Sequence, residues 1–85
     1  MNNTISLCQL AVGECASIEK ISKSCRIRKR LTELGLIGGT KVVCLLSSPM
    51  GGMKAYLFRG AIIAIRDEDC EGVIAIKEGN YAKER

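Results

Sequence analysis

The chain has 85 residues, 47% of them hydrophobic and 26% charged, with a net charge of +4. That length holds one domain with a core of only a few kcal/mol net stability, and the composition excludes a disordered chain. An apolar run such as 61–65 falls far short of the roughly 20 residues of a spanning helix. Residues 1–10 lack the basic start and apolar centre of a secretory signal, so the chain is expected to stay in the cytoplasm.

In chain order, Leu7, Leu10 and Val12 lead to Gly13, and 16–21 alternates as a first strand with Ala16 and Ile18 on one face. Ser22 or Ser24 is placed to cap a helix over 25–34. Ile27, Leu31 and Leu34, at i, i+4 and i+7, form its expected buried stripe. The cations Lys23, Arg26, Arg28, Lys29 and Arg30 read first as its solvated face and second as a surface for phosphates or acidic patches. Gly35 follows where a left-handed residue ends a helix, with Leu36 folding back as its apolar partner. Gly38-Gly39 makes a tight turn into a second strand over 40–46, all three glycines being expected at positive φ.

The remainder reads as β structure. Residues 49–52 form a loop, 54–59 a strand, Gly60 a bend or bulge, and 61–66 another strand. Residues 67–70 form a turn or a single helical turn, a last strand lies within 72–77, and 78–85 is a polar, frayed tail. Five short strands around one inserted helix predict a mainly β fold, a small, partly open barrel over 1–77, since so short a sheet must curl to bury its faces and edges.

The chemistry points away from catalysis. There is no histidine, and the acids Asp67, Glu68, Asp69 and Glu71 crowd one turn without the alternating spacing of a calcium loop. Gly51-Gly52 lacks the Lys-Ser/Thr and the helix of a P-loop. The five cysteines, Cys8, Cys15, Cys25, Cys44 and Cys70, are odd in number and form no C-x-x-C; they read as reduced thiols that pack as small apolar groups, with no metal or cofactor implied. Only Tyr56, Phe58 and Tyr81 are aromatic, too few for a base-stacking surface.

Three blocks in order, "RLTELGLIGGTKV", "SPMGG" and "RGAIIAIRDEDC", resemble the FeoA family over about residues 7–76. In that pattern Arg30-Leu31 and Leu34-Gly35-Leu36 close the helix, Gly39 ends the turn, Pro49 and Gly51 form the loop, and Arg59-Gly60 with Ile65-Arg66 mark paired strands. The chain departs from it at Gly38, where the family turn usually reads Pro-Gly, and at Met53, which replaces a second loop proline. The resemblance implies an SH3-like barrel with one inserted helix. It also implies a non-enzymatic accessory or regulatory protein of bacterial ferrous iron uptake that binds the cytosolic part of the FeoB transporter. Such a protein is peripheral to the membrane through its partner only, with no nucleic acid expected and weak self-association left open. The alternative is a stand-alone SH3-like module that binds nucleic acid or a metal-dependent regulator. Without a reaction site the chain acts through a surface, and two are candidates. One is the loop with Met50, Gly51, Gly52 and Met53; the other is the helix face of Arg26, Arg28, Lys29 and Arg30.

Overall fold

A computed structural model describes residues 3–80. Its elements are β1 (Thr4–Ser6), a 3-10 turn (Leu7–Gln9), β2 (Glu14–Ile21), α1 (Arg28–Glu33), β3 (Lys41–Ser47), β4 (Met53–Phe58), β5 (Ala61–Arg66), α2 (Asp67–Cys70) and β6 (Val73–Asn80). The six strands form one antiparallel sheet in the order β1-β6-β2-β3-β4-β5. The sheet is curled: Tyr56 on β4 donates its hydroxyl to the Leu7 carbonyl at 3.3 Å, and Lys54 donates to the Cys8 carbonyl. Leu7 and Cys8 follow β1 at one end of the strand order, so these bonds draw that end around the core toward β4. Inside lie Leu7, Leu10, Ala16, Ile18, Leu31, Leu36, Val42, Cys44, Tyr56, Phe58, Ile65, Cys70, Val73 and Ala75.

The expected helix over 25–34 is shorter. Residues 22–27 are spent in successive turns, with Cys25 N–H donating to Ser22 O and Arg28 N–H to Cys25 O. Ser22 and Ser24 bond each other at 2.8 Å, the Ser22 hydroxyl also accepts from the Ser24 N–H at 3.2 Å, neither caps the helix, and Ile27 stands at the helix N-cap without a side-chain bond. Leu34 is 47% exposed, so it does not belong to the buried stripe; Leu31 and Leu36 fill the core. The reason is the reversal at Gly35, whose φ is +101. Gly35 N–H bonds Thr32 O at 3.0 Å and Leu36 N–H bonds Leu31 O at 2.9 Å, the paired bonds of a Schellman cap, which turn Leu36 inward as expected.

Gly39 takes positive φ at +92 and Gly38 does not. Gly38 meets a different demand: a Cβ there would lie 3.3 Å from the Glu19 carbonyl oxygen of β2. Thr40 N–H closes this turn on Ile37 O at 3.0 Å. The Thr40 hydroxyl, buried, donates to Gly35 O at 3.0 Å and accepts from Ile37 N–H at 3.1 Å, tying the helix cap to the turn.

Three further differences from the sequence reading have physical causes. β1 is a sixth strand, formed where Thr4, Ile5 and Ser6 add to β6 opposite Ile76, Ala75 and Ile74. Arg59 belongs to the β4–β5 hairpin turn rather than to a strand, with φ +52 followed by Gly60 at +79; positive φ at both central positions marks a type I′ turn. β6 continues through residues 78–80, where a frayed tail was expected, with Asn80 opposite Glu14 and Lys77 Nζ 2.7 Å from the Glu14 carboxylate. Residues 81–85 of that expected tail lie outside the described residues. The acidic stretch forms the single turn α2, as expected.

Candidate partner-binding surface

The loop between β3 and β4 is built from backbone bonds. Ser48 N–H donates to Met53 O and Gly51 N–H to Ser48 O, both at 2.9 Å, and Gly52 O accepts from Asp67 N–H at 2.8 Å. Gly51 and Gly52 both sit at positive φ, +80 and +82, a path that other residues rarely follow. The result lifts Met50 into solvent at 94% exposure, while Met53, 38% exposed, opens β4.

Beside the loop, strand pairing assembles more apolar surface. Leu46 lies opposite Ala55, and Ala55 opposite Ala64, so one cross-strand row runs over β3, β4 and β5. Leu46 and Ile62 are each 66% exposed. Leu46, Pro49, Met53, Ala55 and Ala64 line a shallow cleft of about 380 Å³. The sequence reading missed Leu46, Ala55, Ile62 and Ala64. Counting back by twos from the polar Arg66 could have assigned Ile62 and Ala64 to the outer face, as the structure shows, with Ile65 between Ala64 and Arg66 buried.

The basic residues do not form one helix face. Arg26 lies before α1, its Nε 3.9 Å from the Asp69 carboxylate of α2. Arg28 begins α1, and its Nε donates to Ile21 O at 3.3 Å. Lys29 and Arg30 are exposed and make no ion pair among the described residues. Arg28 joins Lys20, Thr32 and Ile37 along a second cleft of about 310 Å³. That cleft lies past the Lys41 end of β3 and the methionine loop past its Ser47 end. With about 3.3 Å per residue, β3 spans about 20 Å between them, so the two surfaces offer separate contacts.

Burial, aided by the charges of Asp67 and Glu71, raises the Cys8 thiol above its ordinary range, and burial raises Cys44 likewise. Burial pushes Cys70 up to about 12, and its Sγ lies 3.7 Å from the Tyr56 hydroxyl. Thiols held protonated at neutral pH are poor nucleophiles and poor ligands. Among the described residues, no group of three or more His, Cys, Asp or Glu is placed to hold a metal ion, and no helix is long and apolar enough to cross a membrane.

Comparison with known proteins supplies the relationship. No curated protein sequence matches the chain. Among solved structures, it superposes on the FeoA-like protein of Clostridium acetobutylicum with a TM-score of 0.80 at 19% identity, covering 91% of this chain and 90% of that one. A zinc complex of FeoA from Stenotrophomonas maltophilia, described as a procaryotic SH3 domain protein, gives 0.73 at 23% identity over 84% and 88%. A manganese-dependent transcriptional repressor gives 0.79 at 11% identity, over 92% of this chain but 44% of the repressor; at these identities the likeness is one of fold. The curled six-stranded sheet is thus the expected SH3-like barrel with its inserted helix. The FeoA domain model matches residues 5–76, nearly all of the sheet and both helices, and the chain therefore belongs to the FeoA family.

Proposed function

We propose that this chain is a non-enzymatic accessory protein of ferrous iron uptake that binds the cytosolic part of a FeoB-type transporter through loop 50–53 and the apolar row beside it. The observation that carries the reading is Met50, 94% exposed on a hydrogen-bonded loop next to a cleft lined by Leu46, Pro49, Met53, Ala55 and Ala64. An exposed apolar cluster of this kind is a contact surface, and methionine adapts its shape to a partner. Buried apolar anchors hold complexes together, whereas rim charges such as Lys29 and Arg30 mainly set the association rate. The Stenotrophomonas relative, for which a role as a ferrous iron transport activating factor is suggested, supports the choice of process.

The test is capture of the transporter's cytosolic domain by wild type, by Met50→Asp/Met53→Asp and by Arg28→Glu/Lys29→Glu, each shown to be folded by circular dichroism. The methionine variant loses binding, and the charge variant binds more slowly. Undiminished capture by the methionine variant would overturn the surface assignment. No capture by wild type, with either the domain or the full-length transporter, would overturn the function.

A further inference from the structure

Among the described residues, β5 ends the sheet at an open edge. The Asp67 N–H bond to Gly52 O continues the β4–β5 register and fixes its phase. In an antiparallel ladder bonded pairs alternate with unbonded ones, so Ile65, Ile63 and Ala61 bond β4, and the N–H and C=O groups of Ile62, Ala64 and Arg66 turn away from it. Beyond β4, the only element that β5 packs against substantially among the described residues is α2, which continues from its own end. The two ends of the strand order are guarded differently. β1 has three residues; β5 has six, five of them alanine or isoleucine, with no proline and no lysine. A long, apolar, unblocked edge is a template for strand pairing.

We infer that the β5 edge pairs with the β5 edge of a second copy of this chain, antiparallel about a two-fold axis at Ala64. This inference shares Ala64 with the proposed transporter contact but does not rest on that contact. In that register Ala64 exchanges N–H and C=O bonds with Ala64 of the second copy, and each Arg66 N–H donates to the Ile62 carbonyl across the axis. Side chains that meet must share a face, and they do: Ala64 meets Ala64, and Arg66 lays its aliphatic stem along Ile62 on the outer side. On the inner side, half-buried Ile63 meets Ile65. The row Leu46, Ala55, Ala64 becomes continuous across both copies, small residues at its centre letting the strands approach. Charge agrees with this direction. Antiparallel pairing brings the exposed Glu68, just past the end of β5, beside the basic turn of Arg59 in the other copy. Parallel pairing would stack Arg66 on Arg66. The second copy is therefore favoured as occupant by the backbone, the apolar row and the charges together.

Sedimentation velocity of the chain alone over a wide concentration range tests this, together with amide exchange by NMR. The sedimenting mass doubles at high concentration, and the Ile62, Ala64 and Arg66 amides gain protection as it does so. Ala64→Pro removes only an N–H that β4 does not use, an edge position where proline is tolerated; it keeps its circular dichroism spectrum and stays monomeric. Ile62→Lys, which sets like charge beside Arg66 of the second copy, is an independent breaker with the ladder intact and also stays monomeric. A wild-type chain that remains monomeric throughout, a dimer whose Ala64 amide exchanges at the monomer rate, or a dimer that survives both variants would overturn the inference. None of these readouts uses the transporter, so failure here leaves the proposed function standing, and the converse holds.

Discussion

Replacing Gly35 by alanine isolates what the helix stop contributes. The residue sits at φ +101, where a side chain brings its Cβ against the backbone at about 1–2 kcal/mol. The added Cβ would also lie 2.8 Å from Arg59 Cδ. Arg59 is exposed, and its side chain has room to swing away, so the backbone term dominates. For a domain of this size, 1 kcal/mol moves the thermal midpoint by about 4–8 °C, and Gly35→Ala lowers it by about 5–15 °C. Gly35→Val falls further because its branched Cβ resists positive φ. Gly35→Asn falls less, since asparagine tolerates the left-handed region. Urea and thermal melts followed by circular dichroism read these differences, and repeating Gly35→Ala in an Arg59→Ala background separates strain from contact. An unchanged midpoint for Gly35→Ala, or full rescue by Arg59→Ala, would refute the argument from the cap.

Arg59→Asn places the favoured Asn-Gly pair in the type I′ turn, where Arg59 now holds φ +52; it raises stability by about 0.5–1 kcal/mol, read as a higher urea midpoint. Alkaline pH destabilises the fold through Cys70, pushed by burial from its ordinary 9.0 to about 12, and through Tyr56, also raised by burial. Both are acids whose folded pKa lies above the unfolded one; the Cys70 contribution is complete below about pH 9 and is lost as pH rises toward 12, and the Tyr56 contribution is complete below about pH 10 and is lost above it, each by about 1.4 kcal/mol per pH unit. Melts from pH 7 to 11 show this decline, and Cys70→Ala makes it shallower. A strong chelator leaves the thermal midpoint unchanged, because among the described residues no set of ligands is placed to make folding metal-dependent; a fall of several degrees would contradict that.

Several elements were legible because their signals are local, and others were hidden because theirs are not. The Gly35 stop and the inward Leu36 follow from a glycine placed after a helical pattern, and the single turn at 67–70 follows from clustered acids. The overlong helix arose because Ile27, Leu31 and Leu34 fit a 3.6 period that the chain does not use before Arg28. There, Ser22 N–H is bonded to Gly72 O across the fold, a contact no local pattern announces. β1 is a strand only because β6 offers it an edge. Leu46 sits in the run 42–46, where unbroken apolar character conceals which residues face outward. A register shift between Cys44 and Leu46 against β4 turns Leu46 to solvent, and such a bulge is set by pairing rather than by its own residue types.

The methionine loop illustrates how one means of rigidity substitutes for another. Met53 and Gly38 stand where the family pattern has prolines, and each missing proline leaves about 0.4–1 kcal/mol more unfolded-chain entropy to overcome. On sequence alone that loss puts the shape of the loop in doubt. The structure answers with bonds at each corner: Met50 N–H donates to Ser48 Oγ at 3.3 Å, Ser48 and Met53 close the strand ends, and Asp67 N–H anchors Gly52. Gly51 and Gly52 make those bonds geometrically available, because a side chain at either position would strain a backbone held at positive φ. Met50 therefore stands out from a closed ring of hydrogen bonds. An apolar side chain on such a support gives up less entropy when a partner covers it than one on an unbonded loop, and this, more than its hydrophobicity alone, suits it to act as an anchor.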